Sequence, residues 1–355
     1  MSNKNETIDR MNVKKILIFK IGAIGDVLMS TPLVREIRKA FPKAKITYAV
    51  GNYSASVLEG NKNIDHLLKF DQNMFFKKNI ISALKLRNEI NKQKFDIAFV
   101  LDKHWSFGLF IKMCGIPVRV GFDRNREGKY NTHNIVYQQV KHEIDYYLSL
   151  LDAINVKHSK NTQIDLPLNK KDISFADSFF KKNKLKGKVI GMLIGGGGDN
   201  PGESGAIRKW PTDKYIELIQ RLAVNYKIIL LGGPKDGELN KDVMKFVKNV
   251  NVVNSAGHCN IKQSATLMKK CALIITHDSG PMHMASAVND MIISIFGPTN
   301  PKRKAPLHDK SVAIWKDQDI YEENYERYGK LPKHEKWMTK ITAKEVEEIA
   351  RKMIK

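Results

Sequence analysis

The sequence predicts an α/β protein of two doubly wound domains, each a mostly parallel sheet with helices on both faces. Short apolar runs of strand length alternate with segments of helix length, and glycine turns follow several of the strands. The alternation stops in a polar stretch over residues 155–171 and then starts again. A chain of 355 residues is long enough for two domains that each bury a core. We therefore expect two Rossmann-like domains that face each other across a cleft.

Each element of the first domain is predicted from an apolar run and the turn that ends it. A strand over 15–21 leads into the turn from Gly22 to Gly25. A helix over 27–40 follows and ends at Phe41-Pro42, because the residue before proline disfavours helix. The remaining elements are strands over 46–50, 95–101 and 118–122, and helices over 80–91 and 142–154.

The second domain repeats this alternation, and we place the boundary in the polar stretch, after residue 165. A last helix begins at Thr342, where Thr342 and Glu345 have the spacing of a capping box. The elements between are strands over 188–194, 227–231, 272–276 and 291–296, and helices over 212–224 and 260–271.

Composition limits the class of protein. No apolar run approaches the ~20 residues that cross a bilayer, the N-terminus is polar, and the three cysteines have no CxxC spacing. These features predict a cytoplasmic protein with reduced thiols. A lysine-rich solvated surface accounts for most of the net charge of +23. The remainder suits an anionic glycolipid at a membrane face better than nucleic acid, since no nucleic-acid-binding motif is visible.

The most informative segment runs from Thr276 to Ala285, between two predicted buried strands. Its Asp278-Ser279-Gly280 ends a strand and caps a helix, and the first amides of a helix attract phosphate. We expect the diphosphate of a nucleotide to bind here. His283, one turn into the helix, either reaches a phosphate or is a core histidine.

Asp26 follows the first strand at its carboxyl end, where open α/β sheets place ligand-binding residues. It suits a general base that points into the cleft, with Gly22 and Gly25 forming a tight turn on the acceptor side. The alternative is an N-cap, for which aspartate is equally suited. The turn lacks the GxGxxG of dinucleotide-binding domains, which disfavours a nicotinamide dehydrogenase.

Two further glycine turns carry candidates for nucleotide binding. The run from Gly195 to Gly198 precedes Arg208 and Lys209, which either neutralise a leaving diphosphate or lie on a flexible surface loop. Gly232 and Gly233, followed by Glu238, either receive the base or ribose of a nucleotide or form an ordinary turn.

No metal site is expected from the sequence. The histidines and cysteines lack zinc-ligand spacing. Asp317-Gln318-Asp319 has the DxD form that holds a metal in some transferases, but it follows no glycine turn, so we expect a solvated loop there.

Taken in order, these segments resemble the lipopolysaccharide heptosyltransferases, glycosyltransferase family 9. The resemblance rests on the run from Ile16 to Pro32, on Arg208-Lys209-Trp210-Pro211, on Asp278 to His283, and on Phe296-Gly297-Pro298-Thr299. It extends over nearly the whole chain from about residue 13, and several motifs in register are more specific than any one alone.

The resemblance implies a GT-B fold with an acceptor-binding domain over 1–165 and a nucleotide-sugar domain over 166–335. A C-terminal helix within 336–355 is implied to pack back on the first domain. The implied activity is inverting transfer of a sugar, heptose from ADP-heptose in this family, to the lipopolysaccharide inner core or a related glycolipid. No cofactor or metal is implied, and peripheral contact with the inner face of the cytoplasmic membrane is expected.

The resemblance also implies roles for particular residues. Asp26 falls on the family's catalytic base, and Arg208 stands where the family usually has a phosphate-binding lysine, with Lys209 as the neighbouring alternative. The donor-diphosphate loop comprises Asp278, Ser279, Gly280, Pro281, Met282 and His283. A family member with another nucleotide sugar or acceptor is the main alternative, and a non-catalytic nucleotide-binding protein, disfavoured by Asp26, is the second.

Overall fold

The computed structural model describes residues 11–196, 205–323 and 336–355. The chain divides between Pro167 and Leu168 into two compact units. The boundary predicted from the sequence, after residue 165, lies close to this division. Among the described residues, no helix has the length and apolar character needed to cross a membrane.

The first unit is a parallel sheet with helices on its faces. Its strands are β1 (Lys15–Lys20), β2 (Lys45–Gly51), β3 (His66–Phe70), β4 (Ile97–Val100), β5 (Val118–Asp123) and β6 (His133–Val136). Its helices are α1 (Ile24–Met29), α2 (Thr31–Ala40), α3 (Asn52–Ala55), α4 (Asn73–Phe76), α5 (Ile80–Gln93), α6 (Trp105–Met113) and α7 (Glu143–Ser149). The strand order is β3-β2-β1-β4-β5-β6.

The second unit repeats this plan. Its strands are β7 (Val189–Leu193), β8 (Lys227–Leu231), β9 (Val252–Asn254), β10 (Leu273–His277), β11 (Ile292–Phe296) and β12 (Val312–Trp315). Its helices are α8 (Lys170–Lys182), α9 (Thr212–Leu222), α10 (Gly237–Val247), α11 (Ile261–Lys270), α12 (Gly280–Val288), α13 (Pro301–Lys304) and α14 (Ala343–Ile354). The strand order is β12-β11-β10-β7-β8-β9.

Both sheets therefore have the Rossmann order, in which the winding direction reverses at the centre. The reversal lies between β1 and β4 in the first unit and between β7 and β10 in the second. Doubly wound sheets bind ligands outside the carboxyl ends of the strands at such a reversal, so each unit has a position of this kind in its own sheet. The central strands β4, β7, β10 and β11 are buried along their whole length, because helices cover both faces of a parallel sheet.

The helix predicted over 27–40 is two helices in the structure. α1 begins at Ile24, after an N-cap at Ala23, and α2 begins after Ser30. The Ser30 hydroxyl donates to the Val27 carbonyl and contacts the Tyr48 hydroxyl, so it holds the break in the buried interior. Asp26 lies in the first turn of α1 and is not its cap, so the capping alternative for this residue is wrong.

The polar stretch after residue 155 is tied to the first unit rather than suspended between two domains. Arg35 of α2 forms an ion pair with Asp165 at 2.7 Å. Glu36, also on α2, accepts hydrogen bonds from the backbone and the hydroxyl of Ser159. α8 begins three residues beyond the division.

The last helix differs from its predicted placement against the first domain. Val346, Ala350 and Ile354 of α14 belong to the apolar core of the second unit, together with Leu218 and Leu222 of α9. The Thr342 hydroxyl caps α14 by accepting from the Glu345 amide at 3.2 Å. Because the apolar side chains of α14 pack against α9, the helix completes the second unit.

Candidate functional site

A buried lysine lies at the carboxyl end of β1 in the first unit. The Lys20 ammonium is 2.6 Å from Oδ1 of Asp102, which follows β4, and 3.8 Å from Oδ2 of Asp26. Burial alone would lower the pKa of Lys20, but the charges of Asp102 and Asp26 outweigh it and raise the pKa above its ordinary value. Lys20 is therefore a fixed cation at the point where the sheet reverses direction.

Asp102 is oriented by two donors, and Asp26 is left open. One Asp102 oxygen accepts from Lys20, and the other accepts from the Ile21 amide at 2.8 Å. The Asp26 side chain is 34% exposed, and its contact with Lys20 is longer than a hydrogen bond. A carboxylate that is held near a cation and still reaches solvent has the access that a general base requires.

The glycine turn before Asp26 depends on its first glycine. Gly22 has a φ of +151°, a region that other residues rarely adopt, and a Cβ there would lie 3.2 Å from the Ser54 hydroxyl. Gly25 is buried within α1. Gly22 thus allows the chain to turn from β1 into the helix that presents Asp26.

In the second unit, Asp278 follows β10 and is fully buried. Its Oδ2 accepts from the Thr299 hydroxyl at 2.7 Å and lies 3.5 Å from the Arg208 guanidinium. Burial alone would raise the pKa of Asp278, but Arg208, Lys304 and the Thr299 hydrogen bond together lower it to about 2. Asp278 is therefore ionised, and it positions Arg208 and Thr299.

The helix after Asp278 begins at Gly280, within the predicted Asp278-Ser279-Gly280 segment. Ser279 is the N-cap residue of α12, but its hydroxyl does not cap the helix, and Gly280 and Pro281 form the first turn. The Ser279 hydroxyl is buried and has no hydrogen-bond partner among the described residues. A helix N-terminus with an unsatisfied hydroxyl and the nearby cation Arg208 forms a site for an anion.

The glycine loop after β7 reaches this helix terminus. Gly196 has a φ of +97°, and a Cβ there would lie 3.2 Å from Cγ of Pro281. Glycine at this position therefore permits both the backbone conformation and the close approach. Gly197 and Gly198, the last two of the four glycines in the predicted run, lie outside the described residues.

Of the two predicted cations, the structure brings Arg208 to Asp278. Arg208 ends a 3₁₀ turn, and its side chain is largely buried. Lys209, the alternative, is half-buried, and Asp278 has no ion pair with it. Trp210 is fully buried, and its indole N–H donates to the Ile341 carbonyl at 3.1 Å. This anchor fixes the segment that carries Arg208.

The turn at Gly232 and Gly233 is occupied by a side chain from its own loop. The Asp236 carboxylate accepts from the Gly233 amide at 2.8 Å. A Cβ on Gly232 would lie 2.7 Å from Cβ of Asp236. Glu238 is exposed in the first turn of α10. The Gly233 amide is thus engaged within the loop, whereas Glu238 is open to a ligand.

Two histidines flank Asp278 inside the second unit. His277, the last residue of β10, contacts the Tyr215 hydroxyl at 3.1 Å through Nδ1. Burial lowers the pKa of His277 to about 4, so this ring is neutral at physiological pH. His283 is buried on α12, and its charge contributes to the low pKa of Asp278. Met282 is fully buried beside it.

The DxD segment serves the fold. Asp317 is fully buried, and its Oδ2 accepts from the Met338 amide at 2.7 Å, whereas Asp319 forms an exposed ion pair with Lys340. The prediction of a solvated loop is therefore wrong for Asp317. No group of three His, Cys, Asp or Glu side chains suited to a metal ion occurs in the described part of the chain.

Comparisons with known proteins identify the family. The sequence model of glycosyltransferase family 9 (heptosyltransferase) matches residues 83–332. The chain belongs to glycosyltransferase family 9. A relative, the lipopolysaccharide core heptosyltransferase OpsX of Haemophilus influenzae, is 26% identical over 343 residues, which cover 93% of this chain and 92% of the relative.

Solved structures confirm the fold of this family 9 glycosyltransferase. A glycosyltransferase family 9 protein from Veillonella parvula superimposes with a TM-score of 0.78 at 24% identity, covering 96% of this chain and 97% of that one. The ADP-heptose lipopolysaccharide heptosyltransferase II of Escherichia coli gives 0.73 at 22% identity, with coverage of 96% and 98%. The predicted GT-B class, with two Rossmann-like domains, is confirmed.

Lys20 and Asp102 of the family 9 glycosyltransferase were missed by the sequence analysis. Both are charged residues at the end of an apolar strand run, which is the signal that could have identified them. Since they are separated by 82 positions, their pairing becomes visible only in the folded sheet.

Proposed function

We propose that this glycosyltransferase moves a heptose from ADP-heptose to the inner core of a lipopolysaccharide, with inversion at the anomeric carbon. The observation that carries the proposal is the anion site in a chain of this family. In it, Arg208, the buried Ser279 hydroxyl and the N-terminus of α12 meet at the carboxyl edge of the second sheet. The names of the relatives support the choice of donor and acceptor.

In the proposed reaction, Asp26 removes a proton from an acceptor hydroxyl, and the resulting oxygen attacks the anomeric carbon. The bond from that carbon to the diphosphate breaks on the opposite face, which inverts the configuration. Lys20, fixed by Asp102, lies 3.8 Å from the Asp26 carboxylate and helps to hold it in place. General base catalysis of this kind contributes about 10²–10⁴-fold to a rate.

The leaving nucleotide diphosphate gains negative charge as the bond breaks. Arg208 is the cation that we assign to it, since Asp278 holds that guanidinium in place. Asp278 is not assigned a direct contact with the diphosphate, because an ionised carboxylate repels phosphate oxygens. The α12 amides and the Ser279 hydroxyl supply neutral donors for the same charge.

The acceptor side of the proposal is an anionic glycolipid at the inner face of the cytoplasmic membrane. The excess of basic residues supports it, because a net charge of +23 attracts anionic lipid surfaces. No cofactor or metal is assigned to the reaction.

A nucleotide panel tests the donor. Ligands that bind the native state raise its melting temperature by mass action, so ADP should stabilise the protein more than GDP, UDP, CMP or NAD at equal concentration. Preference for UDP or GDP would indicate a donor with another sugar. The absence of any response would reject the proposed nucleotide site. Transfer of heptose from ADP-heptose to heptose-deficient lipopolysaccharide, followed by mass spectrometry, then tests the reaction itself.

A further inference from the structure

The helices on one face of the first sheet expose apolar side chains that its core does not use. Phe76, Ile80, Ile81 and Leu84 are 52%, 70%, 69% and 44% exposed, and they lie within nine consecutive residues. Leu86 and Ile90, further along α5, are buried in the core of the unit. The inward face of α5 is thus already satisfied, and the exposed residues serve no packing role within it.

A surface depression lies next to these residues. Met74 of α4, Ile80 and Ala83 of α5, and Leu109 and Met113 of α6 line a cavity of about 240 Å³. Met113 is also largely exposed. Apolar side chains that are exposed together beside a depression are typical of a contact surface, whereas singly scattered ones are not.

The same helices carry an excess of positive charge, and Glu89 of α5 is the one acidic residue within them. Residues 72–88 contain Lys77, Lys78, Lys85 and Arg87 and no acidic residue, and residues 103–122 also lack Asp and Glu. Lys77, Lys78, Lys85 and Lys112 are exposed. Arg87 donates to the Met113 carbonyl at 2.9 Å and so joins α5 to α6. Apolar and cationic side chains therefore share one surface.

We propose that this surface docks the protein on an anionic lipid bilayer. The docking face comprises the apolar residues Phe76, Ile80, Ile81, Leu84 and Met113 and the basic residues Lys77, Lys78, Lys85 and Lys112. The apolar side chains enter the boundary between headgroups and acyl chains, and the lysines contact anionic headgroups. Charge complementarity favours a lipid surface, and the exposed isoleucines distinguish it from a site for nucleic acid, which is contacted through phosphates and bases.

Trp105 and Lys129 extend the docking face on the side of α6. Trp105 is partly exposed at the start of α6, and the Lys129 ammonium lies 5.0 Å from the centre of its ring. Tryptophan favours the interface between water and hydrocarbon, because its ring is apolar and its N–H is polar.

Cosedimentation of the full chain with extruded vesicles tests the docking face. Vesicles of phosphatidylcholine alone are compared with vesicles that contain phosphatidylglycerol, without nucleotide sugar or glycolipid acceptor. We expect binding to the anionic vesicles and its loss at high salt, since salt screens the lysines. Equal binding to both kinds of vesicle would overturn the proposal.

Two variants locate the contact. Lys77→Glu/Lys78→Glu/Lys85→Glu should weaken binding by about fivefold or more per lysine, on the order of a hundredfold in total. The control Lys43→Glu/Lys62→Glu/Lys160→Glu makes the same change of charge at exposed lysines of the first unit outside α4 to α6. It should retain binding within about threefold. An equal loss in the control would show a general charge effect and reject the docking face.

Ile80→Ser/Ile81→Ser/Leu84→Ser tests the apolar part, and we expect about a tenfold loss of vesicle binding with an unchanged circular dichroism spectrum. Unchanged vesicle binding, with a dimer converted to a monomer in sedimentation velocity, would assign the surface to a second copy and overturn the proposal. The outcome is independent of the proposed transfer reaction, because neither donor nor acceptor is present.

Discussion

Asp26 and Asp278 occupy similar places in the two units and have opposite surroundings. Each follows a strand that borders the reversal point of its sheet. Asp26 is one third exposed, 3.8 Å from Lys20, and makes no hydrogen bond to it. Asp278 is 1% exposed, and its oxygen is shared between Thr299 and Arg208. Two aspartates at the same topological position therefore differ in access. Asp26 is exposed enough to accept a proton from a ligand, whereas Asp278 is buried and held by its partners.

Position at the end of a strand does not by itself set the role of a carboxylate. Burial and partners decide whether it can change its protonation state during a reaction. We therefore expect substitutions in the first unit to affect turnover and those in the second to affect nucleotide affinity and acid stability.

The largest expected effect is on turnover in Asp26→Asn. This isosteric change removes the base and should lower kcat by about 10²–10⁴-fold while leaving the Kd for ADP unchanged. Asp71→Asn is the matched control, because Asp71 also follows a strand of this sheet, β3, and is exposed. A kcat equal to that of the wild type in Asp26→Asn would show that Asp26 is not the base. It would also reject the proposed difference in role between Asp26 and Asp278.

His277 predicts a pH-dependent loss of stability in the second unit. Its pKa is about 4 in the folded protein and 6.5 in the unfolded chain, so the unfolded chain binds the proton first as pH falls. Stability should drop by about 3 kcal/mol between pH 6.5 and pH 4 from this residue. Asp278, with a pKa lowered to about 2, should add a loss only below its unfolded value of 3.8.

Urea unfolding of the wild type and His277→Gln from pH 7 to pH 4 measures the difference. The difference in free energy of unfolding between the wild type and His277→Gln should become smaller as pH falls. Only the wild type bears the cost of keeping a buried histidine neutral. Parallel curves would mean that His277 does not titrate in this way.

Nucleotide affinity should separate Arg208 from Lys209. Arg208→Met should raise the Kd for ADP by about 10–100-fold, since a charge-assisted contact with the diphosphate is lost. Lys209→Met removes one positive charge at the neighbouring residue and should raise the Kd for ADP by less than about threefold. Isothermal titration calorimetry gives both values, and the reverse ranking would assign the diphosphate to Lys209.

The smallest expected effect is on the turnover of Asp102→Asn, which tests the role of the Lys20–Asp102 pair. Asp102→Asn removes the closest partner of Lys20 and should lower kcat by about tenfold without changing the Kd for ADP. Asp96→Asn is the control, since Asp96 accepts from the Lys14 and Lys15 amides at the opposite end of β1. Equal losses of kcat in the two variants would indicate a structural role only.

The sequence was informative where physical signals are local. Buried central strands such as β7 and β10 are continuous apolar runs, and the capped start of α14 is visible in Thr342 and Glu345. Edge strands such as β6 and β9 are short and partly exposed, so their composition resembles that of loops. The break at Ser30 depends on Tyr48, a contact across the core that no window along the chain contains.

In the candidate site, too, contacts between residues far apart in the sequence could not be predicted. The resemblance of the motifs identified Asp26, Arg208 and Asp278 as candidates. Each follows a strand, so each was expected near the carboxyl end of its sheet. The pairing of Lys20 with Asp102, the choice of Arg208 over Lys209 beside Asp278, and the use of the Gly233 amide by Asp236 required distances. Each is a long-range or loop-internal contact that residue type alone does not specify.

The place of α14 in the second core has a consequence for biosynthesis. A chain emerging from the ribosome can complete its first unit while the second is still being made, because domains fold as units. The second unit cannot close its core until Val346, Ala350 and Ile354 have been synthesised, and Ile341, which anchors Trp210, lies just before α14. A truncated product that stops before Ile341 would keep Asp26 and its surroundings but lack the anchor of the segment that carries Arg208. Completion of the second unit, and with it the placement of Arg208 in the proposed nucleotide site, therefore waits for the synthesis of α14.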